Sequence, residues 1–215
     1  MAVVLPAEWL ARKGDMTQRG AVVKGVLNYI GLQVGWFACA LGAARGYPWV
    51  GPLVVAVYVV LHLSASPSRR REAMFILTAA VLGLVVDSLK KIGGLLTYAS
   101  PIPDVWWLAP LWIVAMWALF STTLNGALAW LQGRYLVAIV LGAVFGPLSY
   151  LAGEGIGAIQ FNYGLPLTLG ILAVVWAGVV PLLAWLARRM VTASLVGGRA
   201  VDEEGAQQDE DQAEE

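Results

Sequence analysis

The chain has 215 residues, 59% of them hydrophobic and only 13% charged. Soluble domains carry roughly a quarter charged residues, so this composition excludes an ordinary water-soluble domain. The net charge of zero averages a basic-edged apolar body with an acidic end, because eight of the 14 acidic residues lie in 202–215. The body, 26–189, holds only Glu72, Asp87, Asp104 and Glu154 as acids, too few to build a polar surface. No basic stripe interleaved with aromatics exists, which excludes nucleic acid as a partner. One Cys and one His exclude an internal disulfide and a His-rich metal cluster, and no metal or other cofactor is implied.

In chain order, 1–25 is a basic lead with scattered apolar residues. It reads either as a piece lying on the membrane surface or as a frayed terminus. Six stretches then approach the roughly 20 apolar residues that a helix needs to cross a bilayer. They are 26–44, 47–63, 73–96, 107–131, 135–152 and 165–187. The second is the shortest. Period-2 alternation is absent, which argues against a β-barrel, and backbone groups in lipid must be satisfied internally. The fold class is therefore all-α, a polytopic transmembrane helix bundle of six spans covering 26–189. The acidic stretch 190–215 is expected to be a disordered cytoplasmic tail, since it has too little apolar surface to offset its ordering entropy.

With the N-terminus inside, the cytoplasmic side holds Arg12, Lys13, Arg19, Lys24, Arg69, Arg70, Arg71, Arg134, Arg188, Arg189 and Arg199. The other side holds Arg45, Lys90 and Lys91. That bias predicts both termini in the cytoplasm of a bacterial inner membrane. The two longer outer loops, 98–110 and 153–164, read as ordinary connections or as caps over a cavity.

Small residues recur every four positions on the first span, at Gly31, Gly35, Cys39 and Ala43, and on the fifth, at Ala138, Gly142 and Gly146. Such rows let helix backbones approach closely, and they make Cys39 a packing residue. Polar side chains inside spans are costly and face the bundle interior or a wet cavity. Asp87 stands out among them. It either pairs with Lys90 or Lys91 on the same helix face or serves as a functional carboxylate. Trp117, Ser121 and Asn125 form a row on the fourth span, where Asn125 reads as interhelical glue or a ligand contact. Asn28, Gln33 and Tyr150 follow the same logic, and the Tyr150 hydroxyl needs an acceptor such as Asp87. Asn28 lies close enough to the boundary that simple contact with headgroups is its alternative, and His62 reads as an interfacial histidine. Nucleophile elbows, Walker loops and His boxes are absent from the sequence, which leaves the question of an enzyme open.

Three runs carry a resemblance. These are Leu108-Ala109-Pro110-Leu111-Trp112 continuing to Phe120, Thr122-Thr123-Leu124-Asn125, and Gly146-Pro147-Leu148-Ser149-Tyr150-Leu151-Ala152-Gly153. With Asn28, Gln33-Val34-Gly35-Trp36-Phe37-Ala38-Cys39 and Asp87-Ser88, the chain over 28–189 resembles a family of bacterial inner-membrane proteins known as domain of unknown function 2878. The resemblance implies a compact multi-helix membrane protein and a setting in lipid metabolism near fatty-acyl modification. It carries no catalytic residues. The expected partners are the bilayer and a lipid or small hydrophobic ligand. A small transporter or a non-catalytic scaffold are the alternatives, although an inverted repeat of three helices per half is not discernible between 26–96 and 107–187.

Overall fold

The computed structural model describes residues 7–192. The acidic stretch beyond 192, expected to be a disordered tail, lies outside the described residues, as do residues 1–6. Six helices follow in order: α1 (Ala7–Ala44), α2 (Val50–Ala65), α3 (Arg69–Ile92), α4 (Leu111–Leu124), α5 (Tyr135–Gly155) and α6 (Leu165–Ala187). A single 3-10 turn, Ala129–Leu131, precedes α5, and a π turn, Arg188–Thr192, continues α6. Two three-residue strands, β1 (Leu96–Tyr98) and β2 (Ile159–Phe161), complete the fold.

Two expectations about helix length change. The lead is helical from Ala7 and continuous with the first span, because single glycines cost only about 1 kcal/mol each and no proline interrupts it. The fourth helix ends at Leu124, well short of Leu131, although apolar residues continue. Its last turn meets Asn125 and Gly126, and Asn28 Oδ1 accepts the Ala127 N–H at 3.1 Å. The irregular backbone after α4 is thus supported by protein, the condition for non-helical backbone at membrane depth. Four stretches, Val22–Ala44, Arg69–Ile92, Tyr135–Gly155 and Leu165–Val191, are long and apolar enough to cross a membrane. At 16 and 14 residues, α2 and α4 span only about 24 and 21 Å at 1.5 Å per residue. That is less than a hydrocarbon core of about 30 Å.

Outward faces of the helices are apolar: Leu136 is 80% and Val174 76% exposed. Surfaces of that kind are stable against lipid, not water. Inside, α3 and α4 pack antiparallel, α1 lies against α2 and α4, and α5 pairs with α6. The row on α1 meets its neighbours directly. A side chain at Gly31 would strike the Tyr58 ring, one at Gly35 would strike Leu119, and Cys39 is pressed against Gly51. On α5, Gly142 and Gly146 lie against Trp176 of α6, while Ala138 is fully buried.

The three helices α1, α3 and α5 end on one device. Gly46, Gly94 and Gly157 adopt φ of 81, 67 and 81°, a left-handed conformation that favours glycine. The N–H of the residue after each glycine donates five residues back: Tyr47 to Gly42, Leu95 to Lys90, and Ala158 to Gly153. This is a Schellman-type ending. Eleven residues before these glycines stand Gly35, Gly83 and Gly146, each against a large side chain of α4 or α6. The molecule is thus built from parallel helical hairpins, α1–α2, α3–α4 and α5–α6, with a two-helix period. A two-helix period is incompatible with an inverted repeat of three helices per half.

After their glycine endings, α3 and α5 run into β1 and β2, which pair antiparallel with Thr97 opposite Gln160. The ribbon joins the two long loops across one end of the bundle. Leu96, Tyr98, Ile159 and Phe161 turn inward while Thr97 and Gln160 face out. At the opposite end lie Arg69, Arg70 and Arg71 at the start of α3, Arg134 before α5, and Arg188 and Arg189 after α6.

Candidate functional site

Asp87 sits on α3 at 0% exposure, about two turns below the ribbon. Its Oδ1 accepts from Lys90 Nζ at 2.9 Å, Tyr98 Oη at 2.7 Å and Tyr150 Oη at 2.7 Å. Its Oδ2 accepts from Trp117 Nε1 at 2.6 Å. Lys90 Nζ also donates to Tyr150 Oη at 2.7 Å and lies 4.3 Å from the centre of the Tyr150 ring. One carboxylate and one ammonium, both buried, meet inside a ring of donors. A buried charge is tolerable when paired and hydrogen-bonded in this way.

Local structure explains each contribution. Asp87 and Lys90 are three residues apart on a helix and share a face. Lys91 turns away, and its Nζ donates to the Val105 and Leu108 carbonyls at 2.8 and 3.0 Å, pinning the loop before α4. Ser88 Oγ accepts the Ala109 N–H at 2.9 Å. Tyr98 reaches inward because it alternates with exposed Thr97 on the strand. Burial, followed by the neighbouring Asp87 carboxylate, holds its hydroxyl well above the ordinary tyrosine range. Trp117 reaches Asp87 only because Gly83, one turn earlier on α3, leaves space for its ring. Trp117 stacks on Trp176 at 5.1 Å between ring centres.

A cavity of about 660 Å³ opens beside this cluster, within the range typical of small-ligand sites. It lies between α1 and α4 on one side and α5 and α6 on the other, and residues beside and within β2 close its ribbon end. Trp117 and Tyr150 form part of its wall, so the Asp87 cluster stands directly behind that wall. Gln33 also lines it, with Trp36 and Ser149. Trp36 Nε1 donates to Ser149 Oγ at 3.0 Å, bridging α1 to α5.

The other sequence candidates gather elsewhere. Asn125 does not join Trp117 in the Asp87 cluster. Its Nδ2 donates to Glu72 Oε2 at 3.1 Å, and it accepts from Gln132 Nε2 at 2.9 Å. Glu72 is 2% exposed, and its Oε1 lies 3.0 Å from His62 Nε2. His62 is therefore a buried-carboxylate partner, not a purely interfacial residue. Asn28 is also buried, and of its two readings it takes the contact between helices, not the one with headgroups. Its Nδ2 donates to Tyr58 Oη at 2.8 Å and to Thr122 Oγ1 at 3.3 Å. Sequence reasoning passed over Glu72, Gly83, Tyr98 and Trp176. The shared spacing of Gly83 and Gly146 from Gly94 and Gly157 was the available signal for two of the large side chains that reach the cluster.

Length and apolarity of four helices, with a buried charge pair held between them, define a polytopic helical membrane protein. The chain belongs to the family described as protein of unknown function (DUF2878), whose model matches residues 25–182. No curated protein and no solved structure matches the chain. Among the described residues, no group of three or more His, Cys, Asp or Glu side chains is placed to hold a metal.

Proposed function

We propose that this is a bacterial inner-membrane protein, with both termini in the cytoplasm, that binds a lipid-like molecule within the bilayer. The observation that carries the reading is the 660 Å³ cavity between α1, α4, α5 and α6. Its wall is mostly apolar with a few fixed polar groups, the composition of a site that holds and orients a hydrophobic ligand. The Asp87 cluster fixes Tyr150 and Trp117, and so gives that wall one rigid shape. The arginine-rich end opposite the ribbon supports the cytoplasmic orientation.

The test is lipid analysis of the purified protein. An organic extract of wild type should contain one lipid enriched to near-equimolar amount over the surrounding detergent-soluble pool. A folded Ala152→Phe variant, which adds bulk to the cavity lining, should lose it. An extract no different from that of an unrelated helical membrane protein would sink the reading.

A second reading, a small carrier, draws support from the parallel hairpins that meet at Asp87 and Tyr150. Substrate and coupling sites of carriers lie at such repeat interfaces. Proteoliposome uptake unaffected by Asp87→Asn would count against it.

A further inference from the structure

The cavity lining is selective about charge. Among the described residues, no Asp, Glu, Lys, Arg or His side chain lines it. Lys90, the ammonium behind Tyr150, is already taken by Asp87 and Tyr150. An anionic headgroup placed here would meet no counter-ion among these residues, and burying an unpaired charge is costly.

The lining is also unevenly polar. Along α1, which lines the cavity from Tyr29 to Ala40, Gln33 and Trp36 lie near mid-depth, and on α5 Ser149 lies toward the ribbon. The deep wall nearer the arginine end consists of Phe120, Leu128, Leu131, Leu141 and Val180, with the Tyr29 ring, 55% exposed, at its mouth. From Leu141 to Gly153 the lining follows α5 for twelve residues, about 18 Å at 1.5 Å per residue. Of the polar groups, Trp117, Tyr150 and Trp36 already spend their donors on Asp87 and Ser149. Gln33 has no such commitment among the described side-chain hydrogen bonds, and the Ser149 hydroxyl keeps its own proton after accepting from Trp36. With Trp176 Nε1, buried without a hydrogen-bond partner, that is provision for one or two small neutral polar groups.

The mouth lies between α1 and α5. Among the described residues one side-chain hydrogen bond joins these helices, Trp36 to Ser149 at 3.0 Å. Around it stand Phe37, Phe145 and Leu148, exposed by 49, 62 and 49%. Such a rim is compatible with hydrocarbon and not with water, so the opening faces the bilayer sideways.

We infer that the ligand is an uncharged lipid, its polar end no more than one or two hydroxyl or carbonyl groups, entering between α1 and α5. Its polar end rests at Gln33 and Ser149, and its hydrocarbon runs toward Leu128 and Leu131. This rests on the ligand-binding reading above.

Four cavity tryptophans, Trp36, Trp112, Trp117 and Trp176, supply the assay. Purified full-length protein in phospholipid nanodiscs is titrated with a trace of diacylglycerol carrying brominated chains, which quench tryptophan on contact. The expected result is saturable quenching that unbrominated diacylglycerol competes away. Phosphatidylglycerol and free fatty acid with the same chains should compete at least about tenfold less well. Gln33→Leu should weaken diacylglycerol binding by about tenfold while leaving the unfolding midpoint unchanged. If phosphatidylglycerol or the fatty acid competes as well as diacylglycerol, the uncharged class is overturned while the cavity stands. If Gln33→Leu binds diacylglycerol as wild type does, the placement of the polar end is overturned. If none of the three lipids gives a saturable component, the ligand-binding reading falls with it.

Discussion

Asp87 and Tyr150 stand at the same place in two successive hairpins, seven residues before Gly94 and Gly157, and are hydrogen-bonded to each other at 2.7 Å. The repeat therefore carries a carboxylate in one copy and its donor in the next, and the two hairpins are held together by the difference. Removing the charge from one partner exposes the cost of the other. Asp87→Asn should leave the Lys90 ammonium buried without a counter-ion and destabilise the protein by roughly 3–5 kcal/mol. The double variant Asp87→Asn with Lys90→Met removes both charges and should lose clearly less than the sum of the single losses. Thermal unfolding in detergent, followed by tryptophan fluorescence, reads this. Strictly additive losses would show that the pair is not coupled.

Helix contact in the same region depends on missing side chains. A Cβ at Gly83 would overlap the Trp117 ring, and one at Gly146 the Trp176 ring. Gly83→Ala and Gly146→Ala should each cost roughly 1–3 kcal/mol through overpacking. Gly170→Ala and Gly178→Ala in α6 meet nothing within 4 Å. They should be neutral or stabilising by up to about 1 kcal/mol, the helix-propensity gain. Unfolding midpoints for the four variants should split into these two pairs. Equal behaviour of all four would mean that the rings do not sit against the glycines.

Asp87 was legible in the sequence because a lone carboxylate in an apolar run has few roles. Its pairing could not be settled there, since Lys90 and Lys91 both share its face and only the loop carbonyls of Val105 and Leu108 decide between them. Tyr98 was not legible as its neighbour, nor Trp176 as the ring stacked on Trp117, because strand pairing and hairpin docking bring them together from outside the span. The end of α4 was hidden for a different reason. Apolar composition runs on to Leu131, and hydropathy does not register that Asn125 and Gly126 break the helix. Glu72, beside three arginines, looks like a solvated charge at a helix start, yet it is 2% exposed. Its burial comes from α2 and α4, which supply His62 and Asn125.

That second buried carboxylate gives its own prediction. Glu72 ties the end of α2 and the end of α4 to the start of α3, and Gln132 extends the link to the turn before α5. Glu72→Ala leaves Asn125 without its buried acceptor and His62 without its carboxylate partner. Each unsatisfied group costs about 1–3 kcal/mol. Local opening should follow before global unfolding. Hydrogen–deuterium exchange should rise several-fold at 125–134, with the ribbon end unchanged. Unaltered exchange at 125–134 would mean that backbone contacts alone hold that turn.

The outward faces of Thr97 and Gln160 make both topology and strand register measurable. Cys39 is fully buried, so the natural thiol contributes little background to labelling in the folded protein. Thr97→Cys and Gln160→Cys each replace an exposed ribbon residue directly opposite the other. With the ribbon outside the cell, a membrane-impermeant maleimide should label either variant in spheroplasts whose membranes are intact. Labelling that appears only after lysis would reverse the orientation. In the double variant, mild oxidation should join the two cysteines, since directly opposed strand residues have Cβ atoms roughly 4.5–5.5 Å apart, close to disulfide reach. Loss of maleimide labelling on oxidation, restored by reductant, would fix the register. An offset pair such as Ala99→Cys with Gln160→Cys should join more slowly, because Ala99 stands opposite Ala158 and the pair is displaced by two residues along the strand. Equal rates for the two pairs would mean that the ribbon slides, and Tyr98 would then not be held against Asp87 by strand pairing.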